Sequence, residues 1–410
     1  MSPRRTAVLR DVRAGAGRAL GPLAEARHGY FYVWRRAVAR QLQRAASAGS
    51  QPEFDVIEPR AVPERCLGAR VHEIFPARIE RLPLPRIRTR RAWLGSVLPF
   101  PSPVVFPAVH VMELPDAVHF GYEGTVGVDE TTIIDLPSVS ATPERDVLWL
   151  AEEARRRGHT EYPGTSLSLL QSVASNHAHW LLQGIPRLDL VRRVVDLAPV
   201  DRVLVNEGAP ESVYTALERL GVERARVVAV PRSAGLLHCE RLVLATPVHR
   251  YAVFSDWSRA YLTSLFPVRE PGSTRRLFVG RGDAERRRTV NFDAVRAVLE
   301  SRGFVTVAMD GRSIDEQAAL FAGADVVVAE HGAALANLVF ARPGTRVIEL
   351  CSANCVSWMY AIASGRAGLD YDLLLGTEPT VPRRFWSWQL DADQVVDVER
   401  LEQLLDRIDA

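Results

Sequence analysis

"DVVVAEHGAALANLVFARPGTRVIEL" occupies residues 325–350. An apolar run at 326–328, fit for a buried strand, leads into Glu330, His331 and three small residues, Gly332, Ala333 and Ala334. A short apolar helix and a second strand, "TRVIEL", follow. This order places residues 331–334 at the carboxyl end of a strand and the start of a helix. Small residues there let a ligand approach the backbone. Helix N-terminal amides carry about half a positive charge, and phosphates bind to them. Close packing of helix on strand calls for the same small residues, and spacing alone leaves the two readings equal.

The same alternation extends on both sides. Upstream, "RRLFVGR" reads as a strand, 291–302 as a helix stopped at Gly303, "FVTVAM" as a strand, and "SIDEQAALFAGA" as a helix opened by a Ser313–Glu316 capping box. Downstream come a helix through "VSWMYAIASG" and a strand "DYDLLL"; the last twenty residues read as an amphipathic helix in which Asp391 and Asp393 serve as cap and first-turn acids. An earlier series repeats the rhythm: "DRVLVN", "PESVYTALERLGV", "ARVVAV", "CERLVLAT". Residues 60–140, rich in Pro and Val, read as short strands, "PAVHVMEL", "AVHFGYEGTVGV" and "TTIIDL". The stretch "SLSLLQSVASNHAHWLLQGIPRLDLVRRVVDLA" has helical period, interrupted at Pro186. The Pro/Gly/Ser stretch "PVREPGST" marks a boundary between two α/β series. The expectation is an α/β protein of two Rossmann-like domains, with ligands beyond the carboxyl ends of the strands.

Bulk properties narrow the function. The chain has 410 residues, a net charge of +2, and 51 cationic residues, all of them Arg. No global field favours nucleic acid, and any cationic phosphate contact must come from the planar, bidentate guanidinium. Four Cys, with Cys351 and Cys355 lacking a second pair, favour small buried residues over zinc. No run approaches about 20 apolar residues, so no membrane-spanning helix is expected. The arm at 1–55 combines aromatics with Arg35, Arg36, Arg40 and Arg44. It is a candidate for peripheral contact with an anionic membrane, or else a solvated or partner-packed helix. Without a signal peptide's apolar core the expected location is cytoplasmic.

Two further stretches bear on chemistry. In "RRLFVGRGDAERRRTVN", Arg281 stands at a strand's carboxyl end and Arg287 six residues on. Together they are a candidate clamp for a diphosphate; a solvated loop is the plainer reading. Gly280 and Gly282 imitate a dinucleotide fingerprint, but Glu285 replaces the third glycine. In "SNHAHWLLQGIPRL", His177 and His179 cannot share a helix face, so they do not form a helical zinc pair. His179 is a candidate general base, or a structural histidine.

Taken in order, the three stretches resemble glycosyltransferase family 61, whose segments read N-Y-x-H-W-L-x-E-x-x-P-R-L, Y-I-S-R-x-x-A-x-x-R-x-x-x-N-E and A-x-x-I-V-G-x-H-G-A-G-L-x-N-x-x-F-x-x-P-G-T-x-V-I-E-L. This chain departs at Ala334, where the family usually has Gly, at Gln183, where it often has an acid, and at Phe292, where Glu often follows Asn291. The resemblance implies a GT-B fold of two facing Rossmann-like domains and inverting transfer of a sugar from a nucleotide-sugar to a hydroxyl acceptor in capsular or cell-surface polysaccharide synthesis. Residues 56–255 would be the acceptor-side domain, 274–380 the nucleotide-sugar-binding domain and 381–410 a C-terminal helix. Arg281 and Arg287 would neutralise the leaving diphosphate with help from the amides of Gly332, Ala333 and Ala334. His331 would touch phosphate or sugar. Asn337 would stabilise the turn, and Glu349 would hold ribose hydroxyls or a structural partner. His179 is the candidate base and Glu330 its rival. No metal or cofactor is expected beyond the donor itself. A non-catalytic nucleotide-sugar-binding or scaffold subunit is the alternative.

Overall fold

The computed structural model describes residues 54–81, 104–136, 151–248, 253–281, 287–352, 357–377 and 393–409. The arm at 1–55 lies outside them except for its last two residues, as do Gly282, Glu285, Cys355 and Asp391. The fold is mixed α/β, and the chain divides into two compact units, the second taking up the chain from Ala252 onward. Among the described residues no helix is long and apolar enough to cross a membrane.

The first unit is built on a nine-stranded mixed sheet: β1 (Asp55–Ile57), β2 (Arg70–Phe75), β5 (Val109–Phe120), β6 (Thr125–Gly127), β7 (Thr132–Ile134), β8 (His159–Ser168), β9 (Arg202–Asn206), β10 (Val227–Val230) and β11 (Leu236–Ala245), in the order β1-β7-β6-β5-β11-β8-β9-β10 with β2 also on β5. A separate hairpin pairs β3 (Arg78–Glu80) with β4 (Val104–Phe106). β11, β8, β9 and β10 run parallel, and β5 is antiparallel to β11.

Three neighbouring strands bend in one row. β5 has Pro115 followed by Asp116 at φ 49°, β8 has Pro163 followed by Gly164 at φ 73°, and β11 slips register between Cys239 and Arg241. Arg241 lies opposite both Pro115 and Thr165. Only glycine suits position 164, because a Cβ there would meet Asp201 Oδ2 at 2.3 Å. Past the bend, Asn206 Nδ2 donates to the carbonyls of Tyr122 and Gln171, which follow β5 and β8.

This architecture differs from the sequence expectation in two places. The strands expected at "PAVHVMEL" and "AVHF" are one twelve-residue strand, β5. The segment read as helical from 166 begins instead as the end of β8. Ser166 and Ser168 face buried surroundings, and ladder pairing with β11 outweighs their helical spacing. Helical structure begins later, with a turn at His177–His179 and a π-helix at Trp180–Gly184, followed after Pro186 by α1 (Arg187–Arg192) and then by α2 (Glu211–Arg219).

The second unit carries a five-stranded parallel sheet: β12 (Arg276–Val279), β13 (Val305–Val307), β14 (Val326–Glu330), β15 (Arg346–Ser352) and β16 (Asp370–Gly376), ordered β13-β12-β14-β15-β16. Its helices are α3 (Asp256–Leu265), α4 (Phe292–Ser301), α5 (Ile314–Gly323), α6 (Met359–Ala367) and α7 (Val398–Asp409). The Ser313–Glu316 capping box opens α5 as its sequence predicts. α4 and α7 share a core with the sheet through Phe278, Val295, Leu299, Val328, Leu401 and Leu405. Counting strands from β12, the order is 2-1-3-4-5, so connections leave β12 and β14 on opposite sides. The carboxyl ends of these two strands form the topological switch point, where open parallel sheets bind their ligands.

The terminal segment needs a correction. α7 starts only at Val398 and is capped by Asp397, whose Oδ1 accepts from Arg400 N at 3.1 Å. Asp393 is no first-turn acid. Its carboxylate accepts from the backbone N–H and the guanidinium of Arg288. Residues 393–396 form an extended strap along 288–291. Gln394 N donates to Arg288 O, Val290 N to Gln394 O, and Asn291 pairs twice with Val396.

Candidate active site

The switch point of the second unit brings together Arg281, Glu330, His331 and Glu349 of the residues singled out in the sequence. Arg281, just past β12, donates its backbone N–H to Glu330 Oε2 at 2.7 Å and its Nη1 to His331 O at 3.0 Å. The other oxygen of Glu330 accepts from Thr289 N at 3.1 Å and from the Thr289 hydroxyl. Glu330 is buried, and its two oxygens are engaged by three donors. It therefore clamps both ends of the loop between β12 and α4. That occupancy suits a structural anchor better than a base reaching for an acceptor.

Gly332 has extended backbone at φ 177°, and a Cβ on it would come within 2.3 Å of Arg281 Nη1. The glycine makes room for the guanidinium. The helix after it, Ala333–Phe340, is 3-10 rather than α. Ala333 and Ala334 are half-buried at its start, while Leu335 through Phe340 are buried. Asn337 Nδ2 donates to Ala334 O at 3.0 Å and to Gln317 Oε1 at 2.8 Å, which ties the turn to α5.

Beneath this turn lies a buried polar chain. His331 Nδ1 bonds Glu349 Oε1, and Tyr371 OH donates to Glu349 Oε2 at 2.5 Å. Glu349 is fully buried, so its side chain orients the imidazole rather than meeting solvent. The ring of Tyr360 meets His331 edge-on, with centroids 5.5 Å apart. Burial pushes the Tyr360 hydroxyl far up from its ordinary value, as does the Glu349 charge, while Arg287 and Arg281 oppose the rise. Burial likewise raises the Tyr371 hydroxyl, and Glu349 adds to it. Arg287 is half-buried in the left-handed region at φ 58°, a conformation a non-glycine residue adopts only when its surroundings impose it. Arg281, Arg287, His331 and Tyr360 thus form one neighbourhood.

Cys351 Sγ lies with the ligand atoms of His331 and Glu349 within 4.8 Å of one another. Sequence spacing could not reveal this trio, nor Thr289, Tyr360 and Tyr371, because the sheet assembles them from separate strands and helices.

His179 belongs to the first unit. Asn176 caps a single turn, His177–His179, through Ala178 N, and the chain continues as a π-helix, Trp180–Gly184. His179 Nδ1 stands 2.5 Å from Gln183 Oε1. Burial lowers the proton affinity of His179, and this contact partly restores it. Arg187 braces the turn against the end of β8, donating to Leu169 O, Leu170 O and Gln171 Oε1. It is almost wholly buried, and desolvation lowers its pKa to about 10.

Comparison with known proteins agrees with the motif reading. The profile of the family described as Glycosyltransferase 61 matches residues 177–348. The match begins in the His179 turn and ends inside β15, so it takes in the Arg281 loop and the His331 turn. A beta-1,2-xylosyltransferase, XAX1 of Oryza sativa subsp. japonica, is 35% identical over 106 residues. That alignment spans 25% of this chain and 18% of the rice protein. Over residues 177–348, less than half of the 410-residue chain, the sequence is similar to glycosyltransferase family 61.

Proposed function

We propose that this protein is an inverting glycosyltransferase that moves a sugar from a nucleoside-diphosphate donor onto a hydroxyl acceptor. The observation that carries the reading is the Arg281 guanidinium seated on Gly332 and bonded to His331 O at the switch point. In this reading the two units are the halves of a GT-B enzyme, the second holding the donor and the first presenting the acceptor.

The bond from the sugar's anomeric carbon to the diphosphate breaks while the acceptor oxygen attacks from the opposite face. Positive charge develops on the sugar, as in glycoside hydrolysis, and negative charge on the leaving diphosphate. Arg281 and Arg287 meet that negative charge, aided by the amides at 332–334. A well-placed donor of this kind is worth about 3–4 kcal/mol. His331, oriented by Glu349, faces the phosphate or sugar. His179 takes the acceptor's proton.

Two arginines supply the neutralisation a divalent ion would otherwise provide, so no metal is required. Activity lost in EDTA and regained with manganese would sink that part. The location is cytoplasmic and the product a capsular or similar cell-surface glycan. The rice relative is named for xylosyl transfer, which puts a nucleoside-diphosphate xylose in the first test panel.

The deciding experiment is a hydrolysis and transfer screen against nucleotide sugars, with Arg287→Ala alongside. Turnover of one donor, reduced at least a hundredfold in Arg287→Ala, is expected. Binding without turnover under all acceptors would favour a non-catalytic subunit.

A further inference from the structure

Gln183 is completely buried one helical turn after His179, with its Oε1 2.5 Å from His179 Nδ1. An amide oxygen accepts and never donates, so the proton of this bond sits on Nδ1. In a neutral imidazole the lone pair then lies on Nε2. We infer that Gln183 is a positioning residue that fixes His179 as the Nδ1–H tautomer, leaves Nε2 as the proton acceptor, and adds no negative charge. The inference rests on His179 as the base proposed above.

The surroundings hold this pair in place. The π-turn is closed by Ile185 N on Trp180 O at 2.8 Å; such turns insert an extra residue and recur at functional sites. Trp180 Nε1 donates to Ala174 O at 2.6 Å, and its ring lies so close to Gly184 that a Cβ there would meet it at 2.5 Å. Gln183 lies within this turn and is wholly buried.

An acid at position 183 would do something different. A carboxylate on Nδ1–H stabilises the imidazolium that forms when the base takes a proton. The amide orients the ring equally well but lends no such charge. It also avoids burying an ionised group in a fully enclosed position. The charges of the flanking helices are engaged elsewhere. On α1, Arg187 holds the carbonyls after β8 and Asp189 pairs with Arg193. On α2, Glu211 and Glu218 pair with Arg224. Arg192 and Arg219 are the other charges of those helices, and burial and Gln183 alone account for the shift of His179. In the transfer step Nε2 receives the acceptor's hydroxyl proton as the new C–O bond forms and the C–O bond to diphosphate breaks. The Nδ1 proton stays on Gln183.

The test is side-chain nitrogen NMR of the histidines in the full chain, with His179→Gln for assignment, run beside pH profiles of kcat/KM. The wild type should show protonated Nδ1 and bare Nε2. Gln183→Glu should raise both the His179 titration and the acid limb of the rate profile by at least one pH unit. Gln183→Met, which keeps the bulk but not the acceptor, should mix the tautomers and lower kcat at least tenfold with KM unchanged. A wild-type Nε2–H tautomer, or full kcat in Gln183→Met, would overturn the inference. Should Gln183→Glu fail to fold, those two measurements decide. Tautomer and titration as expected, with a rate profile that ignores them, would establish the pairing and remove His179 as the base.

Discussion

Glu330, the last residue of β14, holds the backbone N–H of Arg281 at 2.7 Å and that of Thr289 at 3.1 Å, so one buried carboxylate closes the loop between β12 and α4 at both ends. Arg281 and Thr289, which flank Arg287 in the chain, are thereby tied to the end of the strand that leads into His331.

Replacing Glu330 with Gln tests this clamp. One of the two oxygens becomes an NH2 group facing a donor, and a buried N–H loses its partner. A loss of about 1–3 kcal/mol in unfolding free energy is expected, together with weaker donor binding. A denaturant melt that matches the wild type would show that the clamp is dispensable.

Gly332→Ala tests the seat of Arg281. The new methyl would lie 2.3 Å from Nη1, and the end of a flexible side chain yields before the backbone does. Stability should change little, while donor turnover should fall about tenfold or more, in line with the loss of a placed electrostatic donor. Wild-type turnover in a folded Gly332→Ala protein would remove the Arg281–His331 contact from the site.

Tyr371→Phe removes one of the two hydrogen bonds to the buried Glu349 carboxylate. Hydrogen bonds to charged groups contribute about 1.5–3 kcal/mol, and chemical denaturation should register a loss in that range. Because His331 keeps its own bond to Glu349, the effect on kcat should be smaller than that of His331→Ala.

His119 gives the fold an acid sensitivity. Its ring is almost wholly buried on β5, and burial, outweighing the bond to Thr125 O, lowers its pKa from 6.5 to about 4. Between these values the unfolded chain binds the proton and the folded one does not. Stability is therefore full above pH 6.5 and falls as pH drops toward 4, by about 3 kcal/mol in all. His119→Gln should flatten this part of the stability profile. An unchanged slope between pH 6.5 and 4 would contradict the assignment.

The second sheet was legible because its strands are short apolar runs separated by helices with visible stops, Gly303 and the Ser313–Glu316 box among them. The first unit was harder to read. β8, "HTEYPGTSLS", mixes polar residues with Pro and Gly because it bends midway, and its strand character comes from pairing with β11 rather than from pattern. The motifs singled out Arg281 and His331, which the structure brings together, and His179 in the first unit, but not the partners that give them orientation. Glu349 belongs to the right motif, yet its binding to His331 and Tyr371 depends on strand order, and Thr289 meets Glu330 only once the loop is folded.

The strap of residues 393–396 carries a consequence for biosynthesis. Arg288 and Asp393 are 105 positions apart, so during translation the loop beside Arg287 waits for at least that much further chain before it gains this support. The strands of the parallel sheet are all made by Gly376, but the strap at 393–396 and α7, which packs on the sheet through Leu401 and Leu405, come only after them. A ribosome stalled before residue 393 leaves the strands without the pairing of Arg288 and Asp393 and without α7.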